Sequence, residues 1–199
     1  MRKLLSLEKS IKIFVSTGIA LALYVGGTEI SEARYLNYGS PNSTIAVDYS
    51  LNTTWTTAVN SGRSAWNNST APVKVNKSSS SNNKLYAANY SDSWYGVFTP
   101  QTVSGSRLTK FQIRLNARTI NRDSTNFQHF VQSTSAHEFG HAFWLADNPN
   151  TNSVSLMKHN RSRQSIRLPQ GYDICLLQYR SADLCNRKMQ SPALILIRA

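Results

Sequence analysis

Apolar and polar residues alternate along Ile45, Ala46, Val47, Asp48 and Tyr49, and this period of two predicts a strand. The period then lengthens. Trp55, Ala58, Val59, Gly62, Ala65 and Trp66 recur at helical steps behind the cap-forming run Asn52-Thr53-Thr54. Thr54 to Trp66 therefore reads as an amphipathic helix whose two tryptophans face a core. Val73-Lys74-Val75, Lys84 to Tyr90, Trp94 to Phe98 and Thr109 to Leu115 read as further strands, with Ser78 to Ser81 as a solvated loop among them. Phe127, Phe130, Val131, Thr134, His137, Glu138, His141 and Leu145 then return to three- and four-residue steps. Their helix is expected to begin near Asn121 to Thr125, with Thr125 and Gln128 as a capping box. Strand, helix, several strands and a long helix, in that order, predict an α+β fold with helices packed on a sheet.

The second helix carries the chemistry. His137-Glu138-Phe139-Gly140-His141 puts two imidazoles four residues apart, on one helical face, where they can hold one zinc ion. Glu138, beside the first ligand, is placed to take a proton from the water that the metal activates. The chain has only four histidines, and two fall in this pattern. A random match is expected on the order of once in a thousand sequences of this composition. His129, two turns earlier, reads as a helix-surface histidine and not a ligand.

A catalytic zinc usually has three protein ligands and an open position. Glu138 is the last glutamate in the chain, so the downstream candidates for the third are Asp147, His159, Asp173 and Asp183. Asp147 lies six residues beyond His141. That spacing resembles the metzincin zinc proteases, and aspartate at this position resembles the snapalysin-type bacterial members. Ser153-Val154-Ser155-Leu156-Met157 looks like the metzincin Met-turn, and Leu156 to Tyr179 looks like the short helical tail of matrixin-like bacterial proteases. The resemblance spans roughly Ile45 to Tyr179. It implies a zincin-like twisted mixed β-sheet with an active-site helix, one catalytic Zn²⁺ on His137, His141 and Asp147, Met157 as an apolar base under the site, and substrate extended along an edge strand. Trp94 to Phe98 or Phe111 to Leu115 could supply that edge.

Two positions depart from the family pattern. Trp144 stands where metzincins have a glycine that turns the chain back toward the metal. Either Trp144 stays helical and the turn shifts to Asn148-Pro149, or the site is distorted. His159 stands where several members have a tyrosine near the metal. It is expected either to approach the zinc, as an oxyanion-stabilising group or spare ligand, or to be one more surface residue in a basic stretch with Lys158, Arg161, Arg163 and Arg167.

The start of the chain sets the compartment. Arg2, Lys3, Lys9 and Lys12 precede an apolar run from Ile13 to Gly27, and Ser31-Glu32-Ala33 offers small residues for cleavage. Residues 1–33 are expected to be a signal peptide and 34–199 a secreted metalloprotease domain. Removing four basic and three acidic residues changes the net charge from +12 to +11. That charge suits anionic surfaces; no nucleic-acid motif accompanies it. Export also permits a disulfide between Cys175 and Cys185, with two separate thiols as the alternative. The expected partner is a peptide or protein substrate and the expected state a monomer; no calcium site is legible. Two competing functions remain at this stage: a basic cell-wall- or surface-binding protein that keeps the fold without activity, and a zinc amidase acting on wall peptides.

Overall fold

A computed structural model describes residues 35–190, so the expected signal peptide lies outside the described residues. The observed elements are β1 (Thr44–Val47), α1 (Thr53–Asn67), β2 (Lys74–Lys77), β3 (Lys84–Ala88), β4 (Gly96–Ser104), β5 (Arg107–Asn116), α2 (Ala117–Asp123), α3 (Phe127–Ala142), α4 (Gly171–Tyr179) and α5 (Ala182–Gln190). This is a mixed α/β arrangement of five helices on small sheets. β1 and β2 pair in parallel, with Ile45 opposite Val75. β3, β5 and β4 form a second sheet in that order, β3 parallel to β5 and β4 antiparallel to it. A single parallel bridge between Asp48 and Lys84 joins the two.

β4 extends well past the predicted Phe98. Its outer half is polar and exposed and contains Pro100, so alternation gives little signal there. Gly105, at φ 58°, closes the hairpin to β5. Proline is tolerated because β4 sits at a sheet edge, where one side of the strand needs no partner.

The helices cover the sheet through one apolar core. Trp66 and Phe139 are fully buried, and Trp66 Nε1 donates to the Ala136 carbonyl at 2.7 Å, pinning α1 against α3. Asn52 caps α1 as expected, its side chain accepting from the Trp55 amide. The start of the motif helix differs from the expectation. Asn126, not Thr125, caps α3 by accepting from the His129 amide at 3.0 Å, and residues 117–123 form the separate α2 behind Asn116. An asparagine side chain one residue further on competes successfully for the orphan helix amides. α5 has no counterpart in the sequence reading. Cys175 of α4 and Cys185 of α5 are joined in a disulfide, which ties this short helix back to the core. Among the described residues no helix is long and apolar enough to cross a membrane.

Candidate metal centre

α3 is buried along nearly its whole C-terminal half, and His137, Glu138 and His141 emerge from it beneath β4. What happens where α3 stops fixes the rest of the site. The Trp144 amide donates to the His141 carbonyl and the Leu145 amide to the Gly140 carbonyl, with Trp144 at φ 78°. This is a Schellman ending with tryptophan in the left-handed position usually held by glycine. The first expectation for Trp144 does not hold: it does not remain helical, and the chain turns at Trp144 itself, although Asn148 also takes a positive φ of 45°. The N-terminal arm accounts for this. The Trp144 ring lies over Gly39, where a β-carbon would meet the ring's Cδ2 at 2.6 Å. Its Nε1 donates to the Ser40 carbonyl at 3.0 Å, and its own carbonyl accepts from the Leu36 amide at 2.7 Å. Packing from a distant segment thus offsets a local backbone cost of about 1–2 kcal/mol.

The turn brings Asp147 back over the helix. Its Oδ1 lies 3.0 Å from His137 Nε2 and 3.5 Å from His141 Nε2. Both imidazoles are oriented from behind. His137 Nδ1 is 3.0 Å from the Leu156 carbonyl and His141 Nδ1 is 2.8 Å from the Leu145 carbonyl. A carbonyl can only accept, so each Nδ1 carries the proton and each Nε2 presents a lone pair. Three electron-pair donors therefore converge on one point. Without a cation between them such a set is repulsive; around zinc, ligand bonds of about 2.0–2.2 Å place tetrahedral donors roughly 3.3–3.5 Å apart. The residues present fit a divalent ion.

His159 is drawn into the same cluster. Its Nε2 is 2.7 Å from Asp147 Oδ1 and its ring centre 6.0 Å from that of His137, although its side chain is 57% exposed. Its amide donates to the Asn148 side chain at 2.7 Å, so the loop after α3 and the segment after Met157 hold each other. Two groups of three residues present donor atoms within 4.8 Å of one another: His137, Glu138 and His141, and His137, Asp147 and His159. His129 belongs to neither.

Met157 is fully buried under α3, and a β-carbon on Gly140 would come within 2.7 Å of its sulfur. The tight turn before it is held by Asp173, which is buried at the start of α4. Asp173 accepts from the Ser155 hydroxyl at 2.5 Å and from the Leu156 and Gln170 amides at 2.8 Å each. The same turn delivers the Leu156 carbonyl to His137. Asp173 was a candidate ligand on the sequence; the structure makes it the anchor of the turn. A glutamine and an aspartate three residues apart at a helix start are the signal that points to that role.

Burial controls the electrostatics. It pushes His137 down to about 3 and also lowers His141, so both are neutral and able to ligate at pH 7. Burial, and next the Asp147 charge, raise Glu138 to about 8 against the pull of Arg161 and Arg163. For Asp147 burial acts upward, but the adjoining imidazoles of His137, His141 and His159 outweigh it and hold the carboxyl below its usual range. Above the cluster lies a cleft of about 570 Å³, lined by Tyr95 to Phe98 and by His159, Arg161 and Arg163. Gly96 lets the wall come close: a β-carbon there would meet Thr134 Cγ2 at 2.8 Å and Glu138 Cδ at 3.0 Å. Gly96, Arg161 and Arg163 were not singled out as site residues by the sequence reading.

No family model matches the chain, and no curated protein matches it in sequence. Among solved structures, the GM1-bound form of the ECX AB5 holotoxin aligns at a TM-score of 0.41 and 14% identity, over 67% of this chain and 74% of that one. Myroilysin aligns at a TM-score of 0.36 and 15% identity, over 54% of this chain and about half (51%) of its own length. At TM-scores below 0.5 both likenesses are too loose to assign an activity.

Proposed function

We propose that this chain is a secreted zinc-dependent endopeptidase of the metzincin type, with residues 34–199 as its catalytic domain. One observation carries the reading: Asp147 Oδ1 lies 3.0 Å from His137 Nε2 and 3.5 Å from His141 Nε2, with both Nδ1 atoms already bonded to backbone carbonyls. A zinc ion held by these three atoms would supply a Lewis acid and an acidified water. The chain's own residues do the rest. Glu138, beside the first ligand and shielded from solvent, accepts the proton of the attacking water and passes it to the leaving amine. A carboxylate whose proton affinity is raised toward neutral pH suits that double duty. β4 lies at the sheet edge, whereas β5 is paired on both sides, so of the two candidate strands β4 is the one free to take an extended substrate by strand addition. Gly96 to Phe98 of β4 line the cleft directly. His159, hydrogen-bonded to Asp147, orients that carboxylate and lines the cleft, where it would help to stabilise an oxyanion. The disulfide agrees with an oxidising, extracellular location.

The test is metal content and casein hydrolysis of wild type and Glu138→Gln, with and without a chelator. The expected result is one zinc per chain in both proteins, with hydrolysis that the chelator abolishes and the substitution lowers by at least a hundredfold. Stoichiometric zinc without hydrolysis would favour a binding protein, and a chain that takes up no metal would remove the proposal.

A further inference from the structure

Two cations in the cleft have no task in the hydrolytic reading. Arg161 is 9% exposed. It is held by the Lys158 carbonyl at 2.8 Å and by the hydroxyl and carbonyl of Ser133 at 3.3 Å each. Arg163 stacks its guanidinium 4.6 Å from the Tyr95 ring centre and 5.8 Å from that of Phe130. One of its amino groups donates to the His159 carbonyl at 3.3 Å, while its Nε is buried with no partner. Among the described residues no carboxylate comes within 4 Å of either guanidinium.

Buried guanidiniums are ordinarily paired, because removing them from water is costly without an anion. Arg161 is buried and Arg163 half-buried, and each acts on Glu138 by charge. Burial, and next the like charge of Arg163, bring Arg161 down to about 9. The two guanidiniums offset the carboxylates of Glu138 and Asp147, so a bound divalent cation would leave the cleft positive. Position gives the direction. Glu138 returns a proton to the leaving amine, and both arginines line the same cleft and act on Glu138 by charge, so the residue that supplies that amine is the one set nearest them.

We propose that Arg161 and Arg163 form a carboxylate-binding subsite that selects peptides with Asp or Glu as the residue supplying the leaving amine. Arg163 carries most of the discrimination, since its head group is the less completely satisfied of the two. The proposal rests on the peptidase reading and narrows its substrate class.

The experiment uses zinc-loaded protein and a set of internally quenched peptides, amidated at the C-terminus, that differ only at that residue: Glu, Gln or Lys. A charge-assisted contact in a partly desolvated cleft should favour Glu over Gln in kcat/KM by on the order of tenfold or more. Arg163→Gln should bring that ratio close to one, Arg163→Lys should retain part of it, and Arg163→Glu should turn it toward Lys. Circular dichroism on each variant establishes that it is folded. Wild-type cleavage with no preference for Glu overturns the subsite and leaves the peptidase reading standing. A Glu preference unchanged in Arg163→Gln and Arg163→Glu also overturns it. Stronger cleavage of a peptide ending in a free carboxylate at that position replaces side-chain selection by terminal-carboxylate binding and refutes the proposal as stated. Absence of any chelator-sensitive cleavage removes both readings together.

Discussion

Trp144 makes a quantitative test of how Asp147 is positioned. In a protein where the residue is simply well packed, replacing it by alanine should cost less than replacing it by glycine, since glycine loses about 0.5–1 kcal/mol more chain entropy on folding. At φ 78° the order should reverse. Both substitutions lose the Nε1 hydrogen bond to Ser40, about 1 kcal/mol, and the contact with Arg180, whose guanidinium lies 5.2 Å from the ring, about 0.5 kcal/mol. Both also lose the burial of part of an indole, roughly 1.5 kcal/mol. Only glycine recovers the left-handed strain of about 1–2 kcal/mol. Trp144→Ala is therefore expected to destabilise by about 3 kcal/mol and Trp144→Gly, once its larger chain-entropy cost is included, by about 2 kcal/mol. In a domain of this size that difference is a Tm gap of about 2–4 °C per kcal/mol in favour of glycine. Thermal unfolding of both variants at one saturating zinc concentration measures it, because bound metal otherwise shifts the midpoint by mass action. A Trp144→Ala protein as stable as Trp144→Gly, or more so, would show that the chain does not turn through a left-handed residue here.

The remaining predictions concern charge at the buried site. In the metal-free protein the folded pKa of Glu138 is raised to about 8 from 4.5, so the folded state holds a proton that the unfolded chain has released. Its contribution is present below the unfolded value and is lost as pH rises toward 8. The window between 6.5 and 8 reports it most cleanly, because the depressed His137 removes stability only as pH falls below 6.5. Denaturant titrations of zinc-free wild type should lose stability across that window while Glu138→Gln does not; parallel curves would contradict the assignment. Asp173→Ala should cost about 3–5 kcal/mol, because the Ser155 hydroxyl proton and the Leu156 amide lose their acceptor in the interior and the part-buried Gln170 amide loses its own. It should also weaken zinc binding through the Leu156 carbonyl behind His137, and unchanged zinc affinity in a folded variant would sever that link.

Local spacing was enough to place a good part of this molecule. The period-two residues around Val47, the helical stripe from Trp55 to Trp66, and the four-residue step from His137 to His141 each describe neighbours along one element, where distance in sequence and distance in space are linked by geometry alone. The outer half of β4 was not legible, because an exposed edge strand needs no apolar alternation. Other features depend on segments far apart in the chain. Trp144 turns left-handed because Gly39 and Ser40 cover it from more than a hundred residues away. His159, one of a run of basic residues in sequence, meets Asp147 only because Asn148 grips its amide. Asp173 was indistinguishable from a metal ligand until α4 turned it toward Ser155, and Arg161 and Arg163 read as solvated charge until folding set them against Ser133 and Tyr95. The sequence by itself determined the pair of imidazoles and the glutamate between them, since one helix suffices to hold all three. The tertiary structure alone decided the third donor's position and the cleft's charge, since no single element's periodicity records which loops meet over its face.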